Sequence, residues 1–268
     1  MSQRGVGAGA GAKKRLTPKQ VLDALRDIAA LEHAHCVHHL RLHAALGGDP
    51  PDGRDDVAPA VREAASAAFF IAQSDMFHLK DVNRVLVRGG REPVLDRAAQ
   101  VSSGSGRPSD LGPLTPAQFV TFPKREKAFA AALDARYGRL RTALASSVPP
   151  ALPDDVREEL EGLIQTASGR GVDHVSRLPT LVEPLGGLSP SEYLQVTGVE
   201  PADELDRRLL ALSDEFYGSL LVILREHFAD VDGVGPPLRH QAVSRMQDLH
   251  KVNGLLVLRG LLPPFTFF

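Results

Sequence analysis

The sequence predicts an all-α chain: a four-helix bundle with two further helices packed on it and long connections between. Three observations predict this. Apolar residues recur at three- and four-residue spacing over six long stretches, the pattern that puts them on one helical face. No stretch alternates apolar with polar residues at the period of two that a half-buried strand needs, so strands should be few or absent. The stretches are punctuated by glycine and proline, which end helices. Of 268 residues, 43% are hydrophobic and 24% charged, enough apolar surface for a packed core and far from the composition of a disordered chain.

The first helix opens at Thr17-Pro18, an N-cap residue followed by proline where its missing N–H costs nothing. It runs over about 18–46 through Val21, Leu25, Ile28, Leu31, His35, His39 and Leu42, and stops at Gly47-Gly48-Asp49-Pro50-Pro51. The second begins near Asp55 and spans about 56–89, with Ala64, Ala67 and Ala68 allowing a neighbour to approach closely, and ends at Gly89-Gly90. Residues 91–118 are rich in Gly, Pro and Ser and read as a long functional loop. A third helix covers about 124–146 and a fourth about 154–168, opened by Asp154-Asp155 in favourable alignment with the helix dipole. An irregular excursion follows over 171–200, then helices near 202–229 and 238–261. Residues 1–16, with the tract Gly5 to Ala12 and the basic run Lys13-Lys14-Arg15, read as a disordered leader, and 17–268 as the helical domain.

Charge excludes several functions. Lys+Arg is 31 against Asp+Glu 33, so no global field recruits nucleic acid or an anionic membrane. The one cysteine, Cys36, cannot form an intrachain disulfide, so a reducing, cytoplasmic home is expected. A small-molecule substrate is the expected partner, with no nucleic acid and no membrane, and self-association is left open. The sequence holds no nucleophile elbow, no phosphate-cradling glycine loop, no dinucleotide fingerprint and no paired C-x-x-C zinc signature.

Chemistry concentrates elsewhere. Glu32-x-x-His35 lies on the first helix, Asp75-x-x-His78 on the second, Glu126 at the start of the third, and His174 just after the fourth. A carboxylate and an imidazole three residues apart share a helical face and can reach one metal, and facing helices that each supply such groups build di-iron and di-manganese carboxylate sites. With 10 histidines in the chain, each pair taken alone is more often a solvated face or a satisfied core histidine than a ligand pair; its weight comes from sharing a bundle.

The stretch Ile71-Ala72-Gln73-Ser74-Asp75-Met76-Phe77-His78-Leu79 through Asn83 and Gly89-Gly90-Arg91-Glu92-Pro93 resembles ferritin-like domains of the iminophenylpyruvate dimer synthase type, which include the ferritin-like portion of the violacein-pathway coupling enzyme. Leu31-Glu32, Leu114-Thr115 through Glu126, Gly171-Val172-Asp173-His174, Phe216-Tyr217-Gly218 and Pro263-Pro264-Phe265 are similar to further motifs of that family, in the same order. The resemblance implies a ferritin-like bundle and a non-haem iron oxidase, oxygenase or oxidative coupling enzyme acting on a small amino-acid-derived metabolite in secondary metabolism. It also implies Glu32, Asp75, His78, Glu126 and His174 as metal ligands. The sequence departs from the family pattern at two places: Asp75 stands where the family has glutamate, and Gln165 to Gly171 lacks the fourth-helix carboxylate and carries Arg170. With fewer carboxylates to offset two ions, at most one iron per chain is expected, and a scaffold that has lost its metal chemistry is the competing reading.

Overall fold

A computed structural model describes residues 16–48, 58–95, 100–102, 108–110, 116–146, 149–167, 170–194, 196, 198, 200–230 and 238–265, with the backbone alone for 100–102, 108–110, 116–120, 170–175 and 190. The leader expected over 1–16 lies outside these residues except for Leu16, as does much of the 91–118 connection. The described residues are mainly helical, with one short antiparallel strand pair and an isolated parallel bridge between Gly198 and Leu261. The helices are α1 (Pro18–Ala45), α2 (Pro59–Arg88), α3 (Pro116–Leu144), α4 (Asp154–Ala167), α5 (Arg170–Val182), α6 (Pro190–Tyr193), α7 (Glu204–Ala229) and α8 (Leu238–Leu258). Strands β1 (Gln100–Ser102) and β2 (Pro108–Asp110) pair with Val101 opposite Ser109.

The start of α1 follows from its cap. The Thr17 hydroxyl accepts from the Gln20 backbone N–H at 3.2 Å while the Gln20 side chain accepts from the Thr17 N–H at 2.9 Å, satisfying donors that the first helical turn leaves open. The helix stops where Gly47 turns to φ 96°, a conformation that costs other residues energy.

The contacts along α1 and α2 run in opposite directions. The His43 ring bonds the Ala65 carbonyl at 2.9 Å, His35 meets Asp75 at 3.0 Å, Glu32 meets His78 at 3.7 Å, and a Cβ on Gly89 would lie 2.5 Å from Leu22. The two helices are therefore antiparallel, and the small side chains of Ala64, Ala65 and Ala68, all fully buried, permit their approach. On α3, Phe122 lies against His38 and His39, Glu126 bonds His35, and Phe129 stacks on His35. That order makes α3 antiparallel to α1 and parallel to α2, so the end of α2 and the start of α3 lie toward opposite ends of the bundle. Asp155 and Glu159 of α4 pair with Arg88 and Arg84 near the end of α2, whereas Leu178 and Leu181 of α5 share an apolar cluster with Ala64 and Ala68 near its start. Together α4 and α5 form the fourth leg, and the sense is up, down, down, up.

Two expectations need correction. The third helix begins at Pro116 and not near 124, with Pro123 inside it; proline is a weak stop where the flanking residues are held by packing, and Phe122 is 1% exposed against the α1 histidines. The excursion expected over 171–200 is helical over Arg170–Val182, in spite of Pro179, because Leu178 and Leu181 are buried. The fourth leg is thus two helices where one was expected.

Helices α7 and α8 pack on each other and against α1 and α2, with the Tyr217 hydroxyl bonded to the His33 ring at 2.9 Å and Phe265 edge-on to Tyr217. The end of α8 is tied to the N-cap of α7 by Arg259, which pairs with Asp203 and Asp206. No helix among the described residues is long and apolar enough to cross a membrane.

The exit of α2 is clamped by Asn83, whose amide donates to the Leu79 and Val94 carbonyls at 2.9 and 3.3 Å and accepts from the Val94 N–H at 2.6 Å. Asn83→Ala would leave the Val94 polar groups without these bonds, a cost of about 1–3 kcal/mol for each buried orphan. The variant is expected to melt roughly 5–10 °C below wild type by circular dichroism; a change within 1 °C would mean that water replaces the clamp.

Candidate metal centre

Residues 32, 35 and 39 recur at three and four positions along α1 and so lie on one face, directed at the middle of α2 and the first half of α3. Glu32, His39 and Asp75 are wholly buried, His35 and Glu126 nearly so, and His78 largely. His35 lies between two carboxylates: its Nδ1 is 3.0 Å from Asp75 Oδ2 and its Nε2 is 2.8 Å from Glu126 Oε2. His39 spans the same gap at longer range, with Nδ1 3.5 Å from Asp75 Oδ2 and Nε2 3.7 Å from Glu126 Oε2. Across the α1–α2 interface His78 Nδ1 faces Glu32 Oε2 at 3.7 Å. Two sets of three donors, His35, His39 and Asp75, and Glu32, Asp75 and His78, each have ligand atoms within 4.8 Å of one another. Asp75 belongs to both.

Burial and mutual charge set the protonation. Burial opposes the His35 imidazolium, but Glu126 and Asp75 outweigh it and push the ring up to about 10. Burial likewise opposes the Glu126 carboxylate, yet His35 and His39 hold it down at about 2. Glu32 is raised, chiefly by burial, with His78 partly offsetting it. Cys36, on the same helix, is pushed well up by burial and then by Asp75 and Glu32, which keeps it a neutral thiol and a poor nucleophile.

The donor set fits a cation. Buried polar atoms are almost always hydrogen-bonded, and an exception calls for an explanation such as an ion. Both carboxylate oxygens of Glu32 and Nε2 of His39 are buried without a hydrogen bond. His39 Nδ1 donates to the His35 carbonyl at 3.1 Å, an acceptor only, which assigns the proton to Nδ1 and the lone pair to Nε2. Metal-ligating histidines are oriented in this way, by donating the other ring N–H to a carbonyl or carboxylate. Three carboxylates and three imidazoles from three helices are a donor set suited to iron, manganese, cobalt or zinc.

Of the residues proposed from sequence, the structure brings Glu32, Asp75, His78 and Glu126 into one buried cluster. His174 stands on α5, and its side chain, like that of Arg170, lies outside the described residues. Gln165 is exposed and takes no part. The sequence reading missed His39 and treated His35 only as the partner of Glu32. The signal was available in the spacing of 32, 35 and 39 on one face.

The chain matches no protein-family model, no curated protein and no solved structure. The class defined by fold and site is an all-helical protein with a buried His/Asp cluster able to hold a metal ion.

Proposed function

We propose that the protein is a ferritin-like, non-haem iron enzyme, an oxidase, oxygenase or oxidative coupling enzyme for a small amino-acid-derived metabolite. Three features support the ferritin-like reading. The helices run up, down, down, up; one long connection joins the two parallel legs, as in ferritin-like bundles; and carboxylates and imidazoles project inward from facing helices at mid-bundle. The observation that carries the metal reading is the pair of buried Glu32 oxygens without hydrogen bonds, with His78 Nδ1 3.7 Å from Oε2, because burying a carboxylate so weakly paired costs several kcal/mol unless a cation or proton compensates it. Glu32, Asp75, His78 and Glu126 would hold the iron, with His174 the donor the family resemblance adds. When bound, iron supplies redox chemistry toward dioxygen. The chain itself excludes bulk water from the donors and fixes them from three helices, with the Phe129 ring stacked on His35 at 3.6 Å.

A scaffold without metal draws on one observation, that both His35 nitrogens already pair with carboxylates, so a proton can neutralise Asp75 and Glu126. It leaves His39 Nε2 without a hydrogen bond and requires Glu32 to keep a proton, the direction in which burial pushes it. Elemental analysis of protein expressed in iron-supplemented medium separates the two readings: bound iron near one equivalent or more per chain is expected, and its absence at every iron concentration would establish the scaffold.

A further inference from the structure

Taking the metal reading as its basis, we propose that Asp75 divides the cluster into two cation positions of different chemical kind. One is oxygen-rich: Glu32 and Asp75 with the single imidazole of His78. The other is nitrogen-rich: His35 and His39 with Asp75, and Glu126 is the further carboxylate within reach, 2.8 Å from His35 Nε2 and 3.7 Å from His39 Nε2.

Each position has its own unexplained donor. Glu32 has two buried oxygens without hydrogen bonds on one side, and His39 has its buried Nε2 on the other. One ion among Glu32, Asp75 and His78 would leave the His39 lone pair with no acceptor role, and one ion on the His35–His39 side would leave Glu32 dependent on a proton or on His78 at 3.7 Å. The expectation of a single ion rested on the missing fourth-helix carboxylate. Helix α1 makes good that loss with the two imidazoles of His35 and His39, which supply donor atoms without adding negative charge once His35 has given up to the incoming cation the proton it shares with Asp75 and Glu126. Three carboxylates against two divalent ions still leave an excess of positive charge, so the second ion binds more weakly than the first.

The two donor sets also select differently. Imidazole suits zinc, cobalt and iron, whereas carboxylate oxygen suits manganese. The geometry therefore points to a centre that accepts two unlike cations, the later first-row ion between His35 and His39 and the harder ion at Glu32.

The test uses the full chain stripped with a chelator and dialysed, titrated with Co(II) alone and followed by visible absorption and elemental analysis. Two equivalents are expected, with affinities at least roughly tenfold apart, each tenfold being 1.4 kcal/mol. His39→Ala should lose one equivalent and Glu32→Gln the other. His39→Gln, which keeps the volume and a donor for the His35 carbonyl, serves if the alanine variant fails to fold. One equivalent each of Mn(II) and Zn(II) should yield about one of each per chain, zinc taking the imidazole-rich position because it binds such donors more tightly than manganese. One equivalent in the wild type, or loss of both equivalents in a folded His39 variant, would overturn the division and leave the metal reading standing. No cobalt bound at any concentration would overturn both.

Discussion

Replacing Asp75 with alanine is expected to abolish metal binding completely and to destabilise the chain by about 3–5 kcal/mol, the usual cost of removing one member of a buried ion pair. Asp75 is the only residue common to both donor sets, so no cation position survives its loss with three donors. Its Oδ2 accepts from His35 at 3.0 Å and lies 3.5 Å from His39, and truncation leaves the His35 imidazolium with Glu126 alone plus a small void in a region with no exposed surface. One effect opposes this: Asp75 repels the Glu32 carboxylate, and that repulsion ends. It is a lesser contribution, because Glu32 is raised mainly by burial, so the net change remains a loss. Asp75→Asn keeps shape and an acceptor oxygen and should recover part of the stability but none of the metal. The measurements are the urea midpoint and the bound metal of each variant. Wild-type metal content in Asp75→Ala would remove Asp75 from the site.

How far the sequence reaches is clearest at particular residues. The capping pair Thr17 and Gln20 and the glycines at 47 and 89 are local chemistry, and they place the ends of α1 and the exit of α2 to within a residue or so. The α3 start fails because the tertiary contacts of Phe122 override Pro123, and no local pattern encodes a contact made with a helix some eighty residues upstream. The same holds for α5: its glycine and proline content reads as irregular, yet burial of Leu178 and Leu181 against α2 holds it helical.

At the site, the motif logic finds carboxylates and the histidines three residues beyond them, since one helical face is implied by spacing alone. It cannot say how the faces of α1, α2 and α3 are rotated toward each other. That rotation places His35 between Asp75 and Glu126 and brings His39 Nε2 to 3.7 Å from Glu126, so the spacing along α1 puts both histidines on the right face, while only the assembled helices show which carboxylates they meet.

The metal-stripped chain is expected to lose stability as pH rises from about 6.5 to 10. His35 goes from an ordinary value of 6.5 to about 10 in the folded chain, so the folded state holds its proton more tightly than the unfolded state. A raised pKa contributes stability that is fully present below the unfolded value and disappears as pH climbs through the folded one. At 1.36 kcal/mol per unit this shift corresponds to on the order of 5 kcal/mol. Glu126 lies the other way, from 4.5 down to about 2: its contribution is present above 4.5 and lost as acid takes the pH toward 2. The two shifts are largely one His35–Glu126 attraction viewed from its two ends and are counted once. Glu32, raised by burial, adds to the loss as pH rises above 4.5, because its folded form prefers the proton. Stability should therefore peak near pH 4.5–6 and fall steadily on the alkaline side, by up to about 1.4 kcal/mol per pH unit where one proton is exchanged. Urea midpoints at pH 6, 8 and 9.5 read this directly. In the zinc-loaded protein the fall should be much smaller, since a coordinated imidazole has already given up its proton and metal affinity itself rises with pH. His35→Gln should flatten the alkaline limb of the stripped protein while lowering stability at pH 6. An unchanged midpoint across pH 6 to 9.5 in the stripped wild type would mean that His35 is neutral between Asp75 and Glu126, and that the cluster is held by a hydrogen bond and not by an ion pair.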